Sequence, residues 1–406
     1  MTVTALPRAA LSRAVLSRAA AHRIACAVVA AELRRWRATG AAPVQPDDWL
    51  EALPIGDDGL GLDSMEQLGA LGALAETFCL DDALLGREPP RIVGEWIDWI
   101  MLGQDATNGR MTVRTSGSTG SPKSCAHATV DLLDEAAFLA TQLAGRRRVV
   151  ALVPAHHLYG IIWTALLPAV LNVPVVVRTI GTPLDLIAGD LVVAVPDQWR
   201  AMVRLTRCFP ADVVGVSSAG PLDDRLAADL LAVGLTRLID IYGSSETSGI
   251  ALRDLPATAY ALLPRWQLIP SGTAESNGTG AWQLRDAHGG HHDLPDHIER
   301  IGDRSLRPIG RRDGAVQVGG HNVWPGRIAD ILRAIDGVAD AAVRLHVDGR
   351  LKAFIVPDDD DCDADELRGR IDRAAADQLT GPERPKCIRF GNMLPHDAMG
   401  KLCDWG

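Results

Sequence analysis

The stretch Met111-Thr112-Val113-Arg114-Thr115-Ser116-Gly117-Ser118-Thr119-Gly120-Ser121-Pro122-Lys123 divides the chain into two kinds of sequence. Met111 to Arg114 reads as a short strand, and the residues after it are rich in glycine and hydroxyls. Farther along, apolar β-rich runs recur at Arg148 to Val153, Val173 to Val177, Leu191 to Val195, Val213 to Ser217 and Leu238 to Ile241. Helical patterns at Thr129 to Ala144, Gln198 to Arg207 and Pro221 to Val233 lie between them. That alternation predicts a mostly parallel, helix-covered sheet whose ligands sit at the carboxyl ends of its strands.

Upstream the period is helical. Ile24, Val28, Val29 and Leu33 share one face of a helix from Ala21 to Trp36. Asp63-Ser64 can cap a second helix carrying Leu68, Leu71, Ala75 and Phe78, and a third runs from Ile92 to Ile100. The expected fold class is α/β, with an N-terminal helical bundle, a central mostly parallel sheet domain and a small C-terminal α+β lid. The expected boundaries are a tail at 1–20, the bundle at 21–104, a shortened core at 105–312 and the lid at 313–406. Ala257 to His297, rich in Gly, Pro, Asn and His, reads as loose loop, and its histidines 288, 291, 292 and 297 lack regular metal-ligand spacing.

Composition narrows the partners. A chain of 406 residues with 47% hydrophobic content has material for more than one core. A net charge of -10 repels phosphate backbones, so nucleic acid is excluded and any nucleotide must be held by local geometry. Seven scattered cysteines without paired spacing point to a reducing cytosol and a cytoplasmic protein. The longest apolar run, Ile161 to Val177, is broken by Pro168, Asn172 and Pro174, so it predicts a buried helix followed by a strand and no membrane span.

Chemistry concentrates in a few places. In Thr115 to Lys123, two glycines permit a tight turn that presents N–H groups, the hydroxyls add donors, and Lys123 adds positive charge, a set suited to a triphosphate. The Walker pattern is absent, and taken alone a Gly/Ser-rich surface loop explains the stretch as well. Ser217-Ser218-Ala219-Gly220-Pro221-Leu222 ends a strand and opens a helix; Tyr242-Gly243-Ser244-Ser245-Glu246-Thr247 follows another. Tyr242 can stack on a purine, Ser245 can bond a phosphate, and Glu246 offers a hard oxygen to Mg2+. The chain has only four lysines, at 123, 352, 386 and 401.

Together and in this order, these segments resemble the motifs of adenylate-forming enzymes, which include acyl-CoA synthetases, aryl-acid ligases and peptide-synthetase adenylation domains. The resemblance implies that Thr115, Ser116, Gly117, Ser118, Thr119, Gly120 and Lys123 form a phosphate loop, that Gly220 lies in a small-residue turn against adenine and acyl group, and that Tyr242, Gly243 and Ser245 hold the nucleotide beside the metal ligand Glu246. Ile301-Gly302-Asp303 is similar to the family's Thr-Gly-Asp, which would give Asp303 the ribose hydroxyls. Gly310-Arg311-Arg312-Asp313 resembles the hinge, with Arg311 on ribose or phosphate and Asp313 as the swivel. Pro154 to Gly160 looks like Pro-x-x-His, placing His157 beside the acyl site; a satisfied structural histidine is the other reading. Pro395 to Lys401 resembles the terminal motif whose lysine contacts the carboxylate and the α-phosphate.

The implied activity is an ATP- and Mg2+-dependent, AMP-forming ligation of a small carboxylic acid, aryl rather than long alkyl, to a pantetheine thiol of CoA or an acyl carrier protein. Gln317 and Arg327 depart from the family's usual Lys and acidic residue, which bears on the thiolation half-reaction. Leu60 to Leu68 is similar to an acyl-carrier signature, in which Ser64 would carry phosphopantetheine; the alternative is that Asp63-Ser64 merely caps a helix. A carrier or scaffold that keeps the ligase fold without catalysis is the rival to an enzyme.

Overall fold

The computed structural model describes residues 15–37, 46–86, 88–106, 109–115, 123–271, 282–359, 363–396 and 402–405. Helices α1 (Arg18–Trp36), α2 (Ser64–Phe78) and α3 (Val93–Ala106) occupy the N-terminal third, as their periodicity predicts. α1 starts where the Ser17 hydroxyl accepts from the Ala20 N–H at 3.2 Å. α2 starts at a reciprocal cap: Asp63 accepts from the Glu66 N–H at 2.8 Å, and Glu66 accepts from the Asp63 N–H at 3.2 Å.

The bundle is not a separate body. Ile24, Leu74, Trp96 and Ile97 belong to one apolar core with Val149, Leu191, Val193 and Ile239 of the sheet. Detaching the helices would re-expose several large side chains, each worth about 1.5–3 kcal/mol. The helices expected as a bundle at 21–104 thus form a layer on the shared core.

After α3 come the hairpin β1 (Arg110–Thr115) and β2 (Lys123–Ala128), then α4 (Thr129–Gln142) and β3 (Arg148–Ala151). The broken apolar run folds as α5 (Leu158–Ile161), a π-helical turn at Ile162–Leu166, α6 (Leu167–Leu171) and β4 (Val175–Val177). Asn172 ends that helix in the left-handed conformation at φ 53°. Among the described residues, no helix is long and apolar enough to cross a membrane.

Next follow β5 (Asp190–Ala194), α7 (Pro196–Leu205), β6 (Val214–Ser217), α8 (Asp224–Ala232), β7 (Arg237–Ser244), β8 (Ser248–Asp254) and β9 (Tyr260–Leu262). Then β10 (Gln267–Pro270), β11 (Trp282–Arg285) and β12 (His291–Asp293) form a small antiparallel sheet, and β13 (Asp296–Gly302) and β14 (Ser305–Arg311) a hairpin. The nine-stranded sheet runs β13-β14-β9-β8-β7-β6-β5-β3-β4. Only β4, β3, β5, β6 and β7 are mutually parallel; from β8 onward every pairing is antiparallel. The mostly parallel sheet is thus corrected to a mixed one, and the loose region 257–297 to a set of short strands.

The C-terminal lid holds the hairpin β15 (Val316–Val318) and β16 (His321–Val323), then α9 (Pro325–Arg333), β17 (Val338–Leu345), β18 (Leu351–Pro357), α10 (Ala364–Gln378) and β19 (Cys387–Phe390). Alternation splits its three-stranded sheet. Ala341, Val343, Ala353 and Ile355 face the helices, while Ala342, Phe354 and Val356 receive Trp405 of the C-terminal segment.

Candidate functional site

Two backbone turns lie side by side at the carboxyl ends of β6 and β7, and the β1–β2 hairpin reaches them through His127. Thr115 pairs with Lys123 across that hairpin, so its register brackets the hydroxyl-rich turn. Ser116, Gly117, Ser118, Thr119 and Gly120 lie outside the described residues, as do the side chains of Thr115 and Lys123. A residue absent from the sequence motifs ties the hairpin to the sheet: the ring of His127 on β2 bonds the Ser245 carbonyl oxygen through Nε2 at 2.7 Å. Burial holds the pKa of His127 below the ordinary value, so the ring is neutral at working pH. Its signal in the sequence was period-two burial on β2, where Cys125 and His127 alternate inward.

The β7–β8 turn carries Ser245 and Glu246. Gly243 is required there because a Cβ would stand 2.4 Å from the Ser248 carbonyl oxygen. Ser244 Oγ and Thr247 Oγ1 lie 2.9 Å apart and stiffen the turn. Glu246 is exposed at its tip, with the Arg311 guanidinium in electrostatic reach of it. On the neighbouring strand, Ser218 Oγ donates to the Ile241 carbonyl at 3.0 Å and Ala219 takes a left-handed φ of 63°. These hold the turn that Gly220 completes.

The carboxylate facing this cleft is Asp296 rather than Asp303. Tyr242 Oη donates to Asp296 Oδ2 at 2.8 Å, and Asp296 pairs in register with Arg311 at the open end of the β13–β14 ladder. Burial first, and the neighbouring Asp296 second, push the Tyr242 phenol well above its usual range; burial also raises Asp296, which Tyr242 and Arg311 partly offset. Asp303 lies in the turn at the other end of the same hairpin, with its side chain 96% exposed and bridged to Arg300 at 2.5 Å. Seven strand positions separate the two, roughly 20 Å. The structure thus does not bring Asp303 beside Tyr242 and Arg311; a ladder closed at Gly302–Ser305 leaves only its far end, with Asp296, beside Arg311.

Arg311 is held by Asp313, Nε to Oδ1 at 3.1 Å and Nη2 to Oδ2 at 2.8 Å, and Asp313 Oδ1 also accepts from the Ala315 N–H at 3.1 Å. Tyr242 packs edge-on to Tyr260 with centroids 6.0 Å apart, and Tyr260 in turn donates to Asp240 at 2.5 Å, with Arg253 Nε on the same carboxylate at 3.0 Å. A buried charge network thus fixes the aromatic wall.

His157 caps α5 at the cleft, and its ring lies 4.1 Å from that of His156. The surrounding protein, with His321 of the lid adding to it, pulls the pKa of His157 down. Trp163 is fully buried on the π turn and packs against Tyr159 at 6.4 Å. Tyr159 spans the ends of β5 and β6 by donating to the carbonyls of Ala194 and Val216. The lid touches the core through its hairpin tip: a Cβ on Gly320 would lie 3.6 Å from the Ala219 carbonyl, and one on Gly319 3.6 Å from Asp197 Oδ2. Lys401 lies outside the described residues; its flanks His396 and Leu402 bridge each other on the lid-sheet face that the lid helices leave to Trp405.

Ser64 occupies the first position of α2, exposed, beside the cap that Asp63 and Glu66 complete. The carrier-like stretch is thereby accounted for as a helix start within a shared core. The histidines of 288–297 also find ordinary places: the ring of His292 bonds Asp286 at 2.9 Å and packs on Trp266, and His291 and His297 lie in strands.

Against known proteins, residues 112–274 match the family model described as AMP-binding enzyme. The chain is 34% identical over 387 residues to a 4-coumarate–CoA ligase of Halorhodospira halophila, covering 92% of this chain and 96% of that protein. It is 36% identical to a 4-coumarate–CoA ligase of Rhodobacter capsulatus, covering 93% and 98%. Among solved structures, o-succinylbenzoate CoA synthetase of Bacillus subtilis shares the fold at TM-score 0.58 and 18% identity, over 72% of this chain and 67% of that one.

Proposed function

We propose a substrate and a set of residue roles from a fixed premise: the chain belongs to the AMP-binding enzyme family, the adenylate-forming superfamily, and is an AMP-forming acid–CoA ligase. Its reaction consumes ATP, activates a carboxylic acid and forms a CoA thioester. The proposed acid is a hydroxyaryl propenoate of the 4-coumarate type. The observation that carries this is full-length kinship: relatives named for that acid match over more than nine-tenths of both chains.

In the proposed mechanism the acid carboxylate attacks the α-phosphorus of ATP and pyrophosphate leaves. The loop from Thr115 to Lys123 receives the phosphates, its hydroxyls and N–H groups donating to oxygens that gain charge. Tyr242 flanks the adenine, and Asp296, already a hydrogen-bond acceptor for Tyr242, takes the ribose hydroxyls together with Arg311. Gly220 lets the acyl group approach the β6 turn. Lys401 supplies a compact ammonium to the carboxylate and α-phosphate.

Mg2+ suits the donor present. Glu246 offers one exposed carboxylate, and Mg2+ is typically bound by one or two carboxylates with phosphate oxygens and water. When bound, the ion neutralises charge shared between phosphate oxygens. His157, neutral because its pKa is lowered, lines the path by which the thiol reaches the adenylate.

The test is acid-dependent ATP–pyrophosphate exchange, followed by CoA thioester formation, over a panel of aryl and alkyl acids. Exchange and thioester with 4-coumarate at a kcat/KM at least about tenfold above an alkyl acid, some 1.4 kcal/mol, supports the reading. Preference for an alkyl acid would overturn the substrate, and absence of AMP the mechanism.

A further inference from the structure

A second concave site lies outside the nucleotide cleft. A cavity of ≈ 370 Å³ opens between α1 and the ends of β3 and β4. α1 contributes Arg23 and Arg34, eleven residues apart and so on one helical face, with Ala27 between them leaving space. The core contributes Arg178, just past β4, His156, and Gln198 from the first turn of α7. Among the described residues, no aspartate or glutamate lines it.

Two polar atoms in this lining want a partner. His156 Nδ1 and Arg178 Nε are buried with no hydrogen-bond partner among the described residues. Such groups cost about 1–3 kcal/mol when left unmade, so a ligand supplying acceptors gains by meeting them. The rest of Arg178 is lightly engaged, with Nη1 on the Val177 carbonyl at 3.0 Å and Nη2 3.8 Å from Asp185. Burial, with His157 and the nearby Arg34 adding to it, pushes His156 down to about 3, so the ring stands as a neutral polar group in the lining.

We infer that this cavity is an anion subsite for a phosphate-bearing ligand with an apolar or aromatic body. Three arginines supply the charge, and Leu152, Val153 and Ile180 supply the apolar wall. Its place in the sheet adds a constraint: β3 and β4 lie two to three strand spacings from β6, roughly 10–15 Å from the nucleotide motifs. Gln198 in the lining adjoins Asp197, against which the lid hairpin tip rests. The same chemistry could come from the phosphorylated end of CoA, in which case the assignment rests on the ligase reading, or from a free phosphate such as released pyrophosphate.

The experiment is titration calorimetry on the full chain with three probes: CoA, 3′,5′-ADP and inorganic pyrophosphate. Variants are Arg34→Gln and Arg178→Gln, with Arg178→Lys as the charge-keeping variant and Arg207→Gln as an exposed arginine outside the cavity. Loss of one charge-assisted contact should weaken the bound probe about tenfold in each Gln variant, partly restored in Arg178→Lys and unchanged in Arg207→Gln. Weakening of CoA and 3′,5′-ADP together identifies the cosubstrate as the source; weakening of pyrophosphate alone identifies a free phosphate. Affinities unchanged for all three probes in both Gln variants would overturn the subsite. Failure of the ligase reading shows separately, as absent acid-dependent exchange in the unaltered protein.

Discussion

At the scale of single residues, the site turns on which carboxylate meets the ribose. Asp296 accepts from Tyr242 and pairs with Arg311, whereas Asp303 sits at the solvent end of the same hairpin. Asp296→Asn should raise the KM for ATP about 10- to 100-fold, the worth of about 1.5–3 kcal/mol for hydrogen bonds to a charged group. Asp303→Asn should stay within about twofold, since exposed pairs contribute about 0–1 kcal/mol. Equal effects in exchange kinetics would return the role to Asp303. A pH dependence arises from His156. As pH falls through its ordinary value near 6.5 the unfolded imidazole takes up a proton, but the folded one resists until about 3. Stability is therefore lost as pH falls across that window. Thermal melts of the unaltered protein should drop on acidification below 6.5, and His156→Gln should flatten that slope.

Among elements, α2 decides between two readings of one sequence. Leu60 to Leu68 has a carrier-like pattern, yet Asp63 and Glu66 satisfy each other's N–H groups and the helix packs into the enzyme's own core. Asp63→Ala should cost about 1 kcal/mol of stability through the lost cap. Ser64→Ala should change neither the denaturation midpoint nor the rate of thioester formation. If Ser64→Ala abolished turnover while folding normally, a covalent arm on that serine would be required. The sequence made the cap legible, because Asp-x-x-Glu before an apolar run is a local signal. It could not tell that the helices share their core with the sheet, because that depends on contacts such as that of α1 with the π-helical turn at Ile162–Leu166, far along the chain.

Over the whole molecule, the lid links the two half-reactions. Its hairpin tip rests on Ala219 and Asp197, while the flanks of Lys401 lie on the opposite sheet face with Trp405, where Lys352 holds Asp404 at 2.7 Å. Under the proposed roles, a rotation about Asp313 would carry the segment of Lys401 between the two half-reactions. Lys401→Ala should cut acid-dependent exchange by at least about 100-fold, some 2.7 kcal/mol or more, and slow transfer from a preformed adenylate to CoA far less. Equal loss in both assays would deny the lid two working positions. The sequence by itself determined the strand–helix alternation, the turn carrying Glu246 and the helix starts, because these rest on side-chain period and on residues within a few positions of one another. Only the tertiary structure decided the antiparallel half of the sheet, the choice of Asp296 over Asp303, the contact of His127 with Ser245 and the union of the helices with the core. Each of those depends on register or packing between segments distant in sequence, where the free energy comes from surfaces brought together by the fold and leaves no mark on local composition.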